Sequence, residues 1–218
     1  MKAFEKWLAN TPHAVTLFVI ADLFESDGFS EWFTALLAKH GERLTVGCHG
    51  LTHRSWSAWP EDGEGFEASL KQATAVLKEK AGGHFRPWFR APAGYIAPWM
   101  ATTLAGQGYT VDSSVNPSWL VRKKAGKGNS WADVNDAMAQ HGVLERPWAT
   151  RFSLPVNGPA LTKFPLSVIA RGVWKKAPSV LTGSELDAAV PDSTQPLVTL
   201  YWHVLDHARN KATWTPPL

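Results

Sequence analysis

The sequence has a single cysteine, Cys48, among its 218 residues. An intrachain disulfide is therefore excluded, and packing must hold the fold. Charged residues make up only 19% of the chain against 44% hydrophobic ones, which excludes a disordered polyelectrolyte. No apolar run is long enough to span a bilayer, so stable membrane insertion is not expected. No signal-peptide pattern stands at Met1, which makes the cytoplasm the default compartment and leaves open an export signal upstream. Repeats and low-complexity segments are missing too. The formal net charge of +3 is too small to argue for a nucleic-acid partner. Its one local excess, residues 121–129 (VRKKAGKGN), reads as a solvated loop or as a contact for an anionic polymer or lipid head group.

What is present suffices for one sizeable core, so residues 1–218 are expected to form a single domain. Tryptophan is abundant, with 12 residues. Most will pack in the core, although indole faces also stack on sugar rings and other flat ligands. Residues 13–21 (HAVTLFVIA) form an apolar, β-branched run without alternation, the pattern of a strand buried on both faces. Further strands are expected at 43–48, 85–90, 109–112, 143–148 and 197–203. Helices are expected at 30–39, capped by Ser30, and at 64–80, where Phe66, Leu70, Ala73 and Leu77 recur at helical spacing. Two more are expected at 98–107 and 131–141. A short amphipathic helix opens the chain, with Phe4, Trp7 and Leu8 on one face. Alternating strands and helices of this length predict an α/β fold with a parallel sheet.

Polar residues follow the strands with some regularity: Asp22, the pair His49 and His53, Arg90, Asp112 and His203. That is the end of the sheet where open α/β folds and β/α barrels build their sites. Two histidines four apart after a strand suit a metal such as zinc, which takes neutral imidazole nitrogen. They read equally as surface histidines. Arg90 could grip a carboxylate, or form a structural ion pair. The turn at Pro92-Ala93-Gly94 could turn free N–H groups toward a developing oxyanion. Asp112 could hold a neighbouring arginine or histidine, or cap a turn. His203 could act as general acid or base, or be a hydrogen-bonded core histidine.

Taken in order, these stretches resemble the polysaccharide deacetylase family, the NodB-homology or carbohydrate esterase family 4 group. Thr16-Leu-Phe-Val19 is similar to the family's second strand, and His49-Gly-Leu-Thr-His53 to its His-x-x-x-His metal motif. Arg90-Ala-Pro92 resembles its Arg-x-Pro motif. Gly108-Tyr-x-x-Asp-Ser-Ser-Val115, Glu145-Arg-Pro147 and Leu154-Pro-Val-Asn-Gly158 follow a subset acting on exopolysaccharide or peptidoglycan, and His203-Val-Leu-Asp206 stands where that subset has its final histidine motif. The resemblance implies a distorted (β/α) barrel that removes acetyl groups from N-acetylated glycans with a divalent metal, usually Zn2+. His49 and His53 would be ligands, Arg90 would orient the catalytic aspartate, and the Ala93 N–H would stabilise the oxyanion. Asp112 would position its neighbours, and His203 would protonate the leaving group.

The family's first motif, a strand ending in Asp-Asp, has no counterpart in this sequence, and few residues follow His207. The barrel is therefore expected to be incomplete at its first strand and at its C-terminus. Asp22 is the expected substitute for the missing metal-binding aspartate, with Glu25 the poorer candidate. A missing first strand would leave a sheet edge open to pairing with another copy. Two alternatives to the deacetylase remain: a carbohydrate-binding relative without catalysis, and a hydrolase of small cyclic amides.

Overall fold

The structure, a computed structural model, describes residues 1–177 and 199–218. Helix α1, Lys2–Ala9, has the predicted amphipathic face, with Phe4 and Leu8 completely buried. Strand β1 is Val15–Val19 and leads into a 3-10 turn, Ala21–Glu25. Helix α2, Asp27–His40, begins before the expected Ser30: Ser26 occupies the N-cap position, and the Ser30 hydroxyl donates to the Phe24 carbonyl at 3.0 Å. Strand β2, Leu44–Cys48, is buried along its whole length. Helix α3, Gly63–Ala81, is capped by the Asp62 side chain and buries Phe66, Leu70, Ala73 and Leu77. Each of the larger three contributes about 1.5–3 kcal/mol by leaving water, so this helix anchors the sheet.

Strand β3 (Phe85–Phe89), helix α4 (Met100–Gly106), strand β4 (Val111–Asp112), helix α5 (Trp131–Gln140) and strand β5 (Leu144–Glu145) follow in order. A capping box between Ser130 and Asp133 fixes the start of α5. The five strands are parallel and run in sequence order across the sheet, β1-β2-β3-β4-β5. This is the expected α/β class. Among the described residues the strands make an open row rather than a closed ring, and no strand pairs with the outer edge of β1.

The expected strand at 197–203 needs correcting. Leu197 and Val198 lie outside the described residues. Thr199 makes only an isolated parallel bridge with Trp148. Beyond it the backbone is satisfied by a side chain and a loop: Tyr201 N–H donates to Asn157 Oδ1 at 3.1 Å, and Gly158 N–H donates to the Tyr201 carbonyl at 2.9 Å. His203 therefore precedes a 3-10 turn, Val204–Ala208, and does not end a strand.

A main core joins the sheet to α1–α5. A smaller one gathers Val156, Leu161, Ala170, Trp174 and Trp214 around the hairpin β6 (Thr150–Arg151) and β7 (Leu154–Pro155) and helix α6, Leu166–Trp174. No helix among the described residues is long and apolar enough to cross a membrane.

Candidate active site

His49 is the first residue past β2. Its backbone N–H donates to the Val19 carbonyl at 2.8 Å, which carries the parallel ladder one residue beyond the strands. Its ring Nδ1 meets the Arg90 carbonyl at 2.7 Å, so Nδ1 carries the proton and Nε2 is left with its lone pair. Burial pushes the His49 pKa down to about 3, so the ring stays neutral. The turn that follows needs Gly50, whose φ is +89° and whose added Cβ would meet the Thr52 carbonyl oxygen at 2.9 Å. That turn brings the exposed His53 back edge-on to His49, with ring centroids 5.4 Å apart. The end of β1 is tied to the same loop, since Ala21 N–H donates to Gly50 and Asp22 N–H to Leu51, at 3.0 and 2.9 Å.

Arg90 follows β3 and is 8% exposed. Its guanidinium lies among three aromatic rings, 4.4 Å from Phe18, 4.9 Å from Tyr201 and 5.6 Å from Trp148. Nε donates to the Ser113 carbonyl and a terminal nitrogen to the Ser113 hydroxyl, each at 3.0 Å. Among the described residues it has no carboxylate in an ion pair. Burial lowers its pKa to about 10, which still leaves it charged at neutral pH. Two residues later the chain turns sharply at Pro92–Gly94. Ala93 is held at φ 53°, a conformation that costs alanine about 1–2 kcal/mol. Bonds from Gly94 to the Ala91 carbonyl (2.9 Å) and from Tyr95 to the Pro92 carbonyl (3.2 Å) fix the turn, and Lys124 Nζ donates to the Ala93 carbonyl at 2.6 Å. Ala93 is exposed, and its N–H has no acceptor among the described residues.

Asp112 ends β4 and is completely buried. The Ser114 N–H and hydroxyl donate to its two oxygens, at 3.1 and 2.6 Å, and Ser114 in turn accepts from the Ala91 N–H at 2.8 Å. Asp112 thus positions the Arg90–Ala93 segment through Ser114. Its register partner across the sheet is Glu145. Burial raises both carboxyls, and Asp112 raises Glu145 further, well above the ordinary 4.5. Glu145 Oε2 is buried without a hydrogen-bond partner among the described residues. Two buried carboxyls in register favour holding one proton between them.

His203 is near enough for its charge to bear on His49, and its ring meets Tyr201 edge-on at 5.7 Å. Its Nδ1 lies 3.5 Å from Asp206 Oδ2, and its backbone N–H donates to the same oxygen at 3.0 Å. Asp206 is buried and also accepts from Arg209 Nε at 2.7 Å. Sequence reasoning named Asp206 only as part of a motif and missed Ser113, Ser114, Tyr201 and Lys124 as supports. The i, i+3 spacing of His203 and Asp206 was the available signal for the first.

No protein-family model matches the sequence, and no curated protein matches it. Among solved structures, one from Mycobacterium smegmatis, provisionally assigned as a polysaccharide deacetylase, superposes over 93% of this chain with a TM-score of 0.53 at 17% identity. The chain has the polysaccharide deacetylase fold. It spans 62% of the Mycobacterium smegmatis chain. IcaB from Ammonifex degensii matches with a TM-score of 0.43 and 25% identity over 51% of this chain and 52% of its own. A CE4 esterase of Streptococcus mutans matches with a TM-score of 0.43 and 14% identity over 92% of this chain and 66% of its own.

For a chain with the deacetylase fold, the donors available to a metal are the next matter. A neutral His49 with Nδ1 tied to a carbonyl and Nε2 free is an imidazole prepared for coordination. His53 faces it and supplies a second imidazole. Among the described residues no three His, Cys, Asp or Glu side chains are grouped to hold a metal. The Asp22 backbone is pinned beside the histidine loop, yet its carboxylate does not join the pair in such a group. The side chains present fit two imidazole positions of a divalent metal.

Proposed function

We propose that this chain is a single-domain, metal-dependent hydrolase that removes acetyl groups from N-acetylated sugars of a polysaccharide or cell-wall glycan. One arrangement carries the reading: the His49 and His53 imidazoles and a free N–H on a strained turn follow neighbouring strands of one parallel sheet, and the loop histidine His203, backed by Asp206, lies close enough for its charge to act on His49. The fold likeness to a polysaccharide deacetylase supports it.

Divalent zinc held by His49 and His53 would act as a Lewis acid toward the acyl oxygen and lower the pKa of water. The remaining roles belong to the protein's own groups. The Ala93 N–H donates to the oxygen that gains charge as the acyl carbon becomes tetrahedral. Arg90 holds the Ser113 segment and, through its carbonyl, the tautomer of His49. Asp112 fixes the oxyanion turn by way of Ser114 and Ala91. His203 gives the proton to the departing amine from Nε2, while Asp206 faces its Nδ1 and orients the ring.

The test is acetate release from an N-acetylated chitooligosaccharide with zinc present, together with zinc titration by calorimetry. His203→Ala should lose turnover and keep zinc. Loss of the metal in that variant would remove His203 from its role, and zinc binding without acetate release from any acetylated glycan would overturn the reading. A second reading, a carbohydrate-binding relative without catalysis, is favoured by the missing third donor group among the described residues. It requires glycan binding with no measurable zinc affinity.

A further inference from the structure

The basic stretch at 121–129 has a definite shape. It includes most of a 3-10 helix, Trp119–Ala125, started by the Ser118 hydroxyl, which accepts from the Leu120 N–H at 3.3 Å. In a 3-10 helix, side chains three apart eclipse one another, so the segment has three stripes. The stripe of Val121 and Lys124 faces the protein, with Lys124 Nζ on the Ala93 carbonyl and over the Tyr95 ring at 5.2 Å. The other two begin exposed and end buried at Ala125 and Gly126. One sets Trp119, 60% exposed, beside Arg122, and the other sets Leu120, 47% exposed, beside Lys123. Each exposed stripe therefore pairs an apolar face with a cation that has no ion-pair partner among the described residues.

The segment is rigidly held against the site. The Lys124 carbonyl accepts from the Ile96 N–H at 3.2 Å and from the Ser57 hydroxyl at 2.7 Å. The latter bond ties in the 3-10 turn Trp56–Ala58, after which Trp59 stands 64% exposed. Charge in the segment has one sign: Arg122, Lys123, Lys124 and Lys127 fall between Asp112 and Asp133 with no acidic residue among them. The nearest acids past Trp59 begin at Glu61, and Asp62 already faces Arg54 at 3.7 Å.

We propose that these two stripes bind an acidic glycan, a chain of sugars carrying carboxylates, where it runs past the active site. A uronic acid ring presents an apolar C–H face and a carboxylate side by side, which is the pairing that Trp119 with Arg122, and Leu120 with Lys123, complement. The proposal rests on the deacetylase reading for its substrate class and adds the charge of that substrate. Because Lys124 joins the same helix to the oxyanion turn, the bound chain is held at a fixed distance from Ala93.

The experiment is calorimetric titration of the 218-residue protein with oligogalacturonate, using a neutral chitooligosaccharide of equal length as reference. The acidic glycan should bind more tightly, and added salt should weaken it selectively. R122S/K123S should weaken acidic binding about tenfold, the worth of two exposed charge contacts, and leave neutral binding unchanged. Trp119→Ala should weaken both. Equal affinity for the two glycans, or undiminished acidic binding by R122S/K123S, overturns the proposal. So does duplex DNA binding as tightly through the same residues, since the stripes would then be a general polyanion surface. R122S/K123S should release acetate from a small neutral acetylated sugar at the unaltered rate, so failure of the charge proposal is separable from failure of the deacetylase reading.

Discussion

Two pairs of like side chains sit at strand ends of the same sheet and are treated in opposite ways. His49 and His53 follow β2, with His53 in solvent and the rings 5.4 Å apart. Asp112 and Glu145 end β4 and β5, in register with each other, with Asp112 sealed from water. Burial keeps the one histidine neutral, and it raises the Glu145 pKa well above its ordinary value. In each pair the low dielectric suppresses one charge. The consequences differ because the partners differ. The neutral imidazole is left with one ring nitrogen free of hydrogen bonds among the described residues. The raised carboxyl pair lies near Arg90, and Asp112 strengthens the arginine's hold on its charge. The proposed site uses the first pair, and the second is tied through Ser114 to the Ala91 backbone beside it.

The largest break in this comparison is His49→Ala. It removes the one imidazole whose tautomer is fixed, and calorimetry should find zinc affinity reduced to below detection. Retained tight binding would mean that other donors hold the metal. Next is Asp112→Ala, which strips Ser114 of its acceptor. Leaving the buried Ser114 donors without their acceptor costs about 1–3 kcal/mol, measurable by urea unfolding. A loss well below about 1 kcal/mol would mean that the Asp112–Ser114 bonds do not support this end of the sheet.

The contrast between the two pairs was only half legible in the sequence. The histidine pair was readable because a short strand-like run, 43–48, delivers it to a strand end, and a glycine follows at the turn. The carboxyl pair was not, because it depends on β4 pairing with β5, and cross-strand register does not follow from spacing along one segment. Asp22 shows the limit of the same argument. Its position after β1 was read correctly, but position does not fix side-chain direction, and its carboxylate is not grouped with the histidines. His203 was assigned to a strand end from the apolar run before it. Asn157 takes over the backbone bonds of Tyr201, and the chain enters a 3-10 turn in place of a strand. The fold class survived both errors, since it rests on the repeated alternation of elements and not on any one boundary.

The carboxyl pair also has a pH signature. Burial, then the charge of Asp112, raise the Glu145 pKa well above 4.5. The unfolded chain ionises this group near 4.5, so its contribution to stability is complete below that pH. It is lost as pH rises toward the folded value. Stability of the wild type should therefore fall relative to Glu145→Gln as pH increases above 4.5, at up to about 1.4 kcal/mol per pH unit for one proton. Glutamine keeps a donor for Asp112 and has no proton to lose. Urea unfolding of both proteins over a pH series checks this. A pH-independent difference would show that Glu145 does not hold the proton.

The smallest effect concerns the turn that both pairs flank. Ala93 is held left-handed at φ 53° by its own turn bonds and by Lys124. Glycine adopts that conformation freely, which relieves about 1–2 kcal/mol, but the more flexible unfolded chain takes back about 0.4–1 kcal/mol. Ala93→Gly should therefore stabilise the protein by at most about 1.6 kcal/mol, read as a rise in Tm. If the alanine serves to fix the direction of its N–H, acetate release should fall in the same variant while zinc affinity stays constant. A more stable protein with unaltered turnover would instead mean that the turn bonds alone aim the donor. The left-handed alanine would then be a cost of the fold with no part in the chemistry.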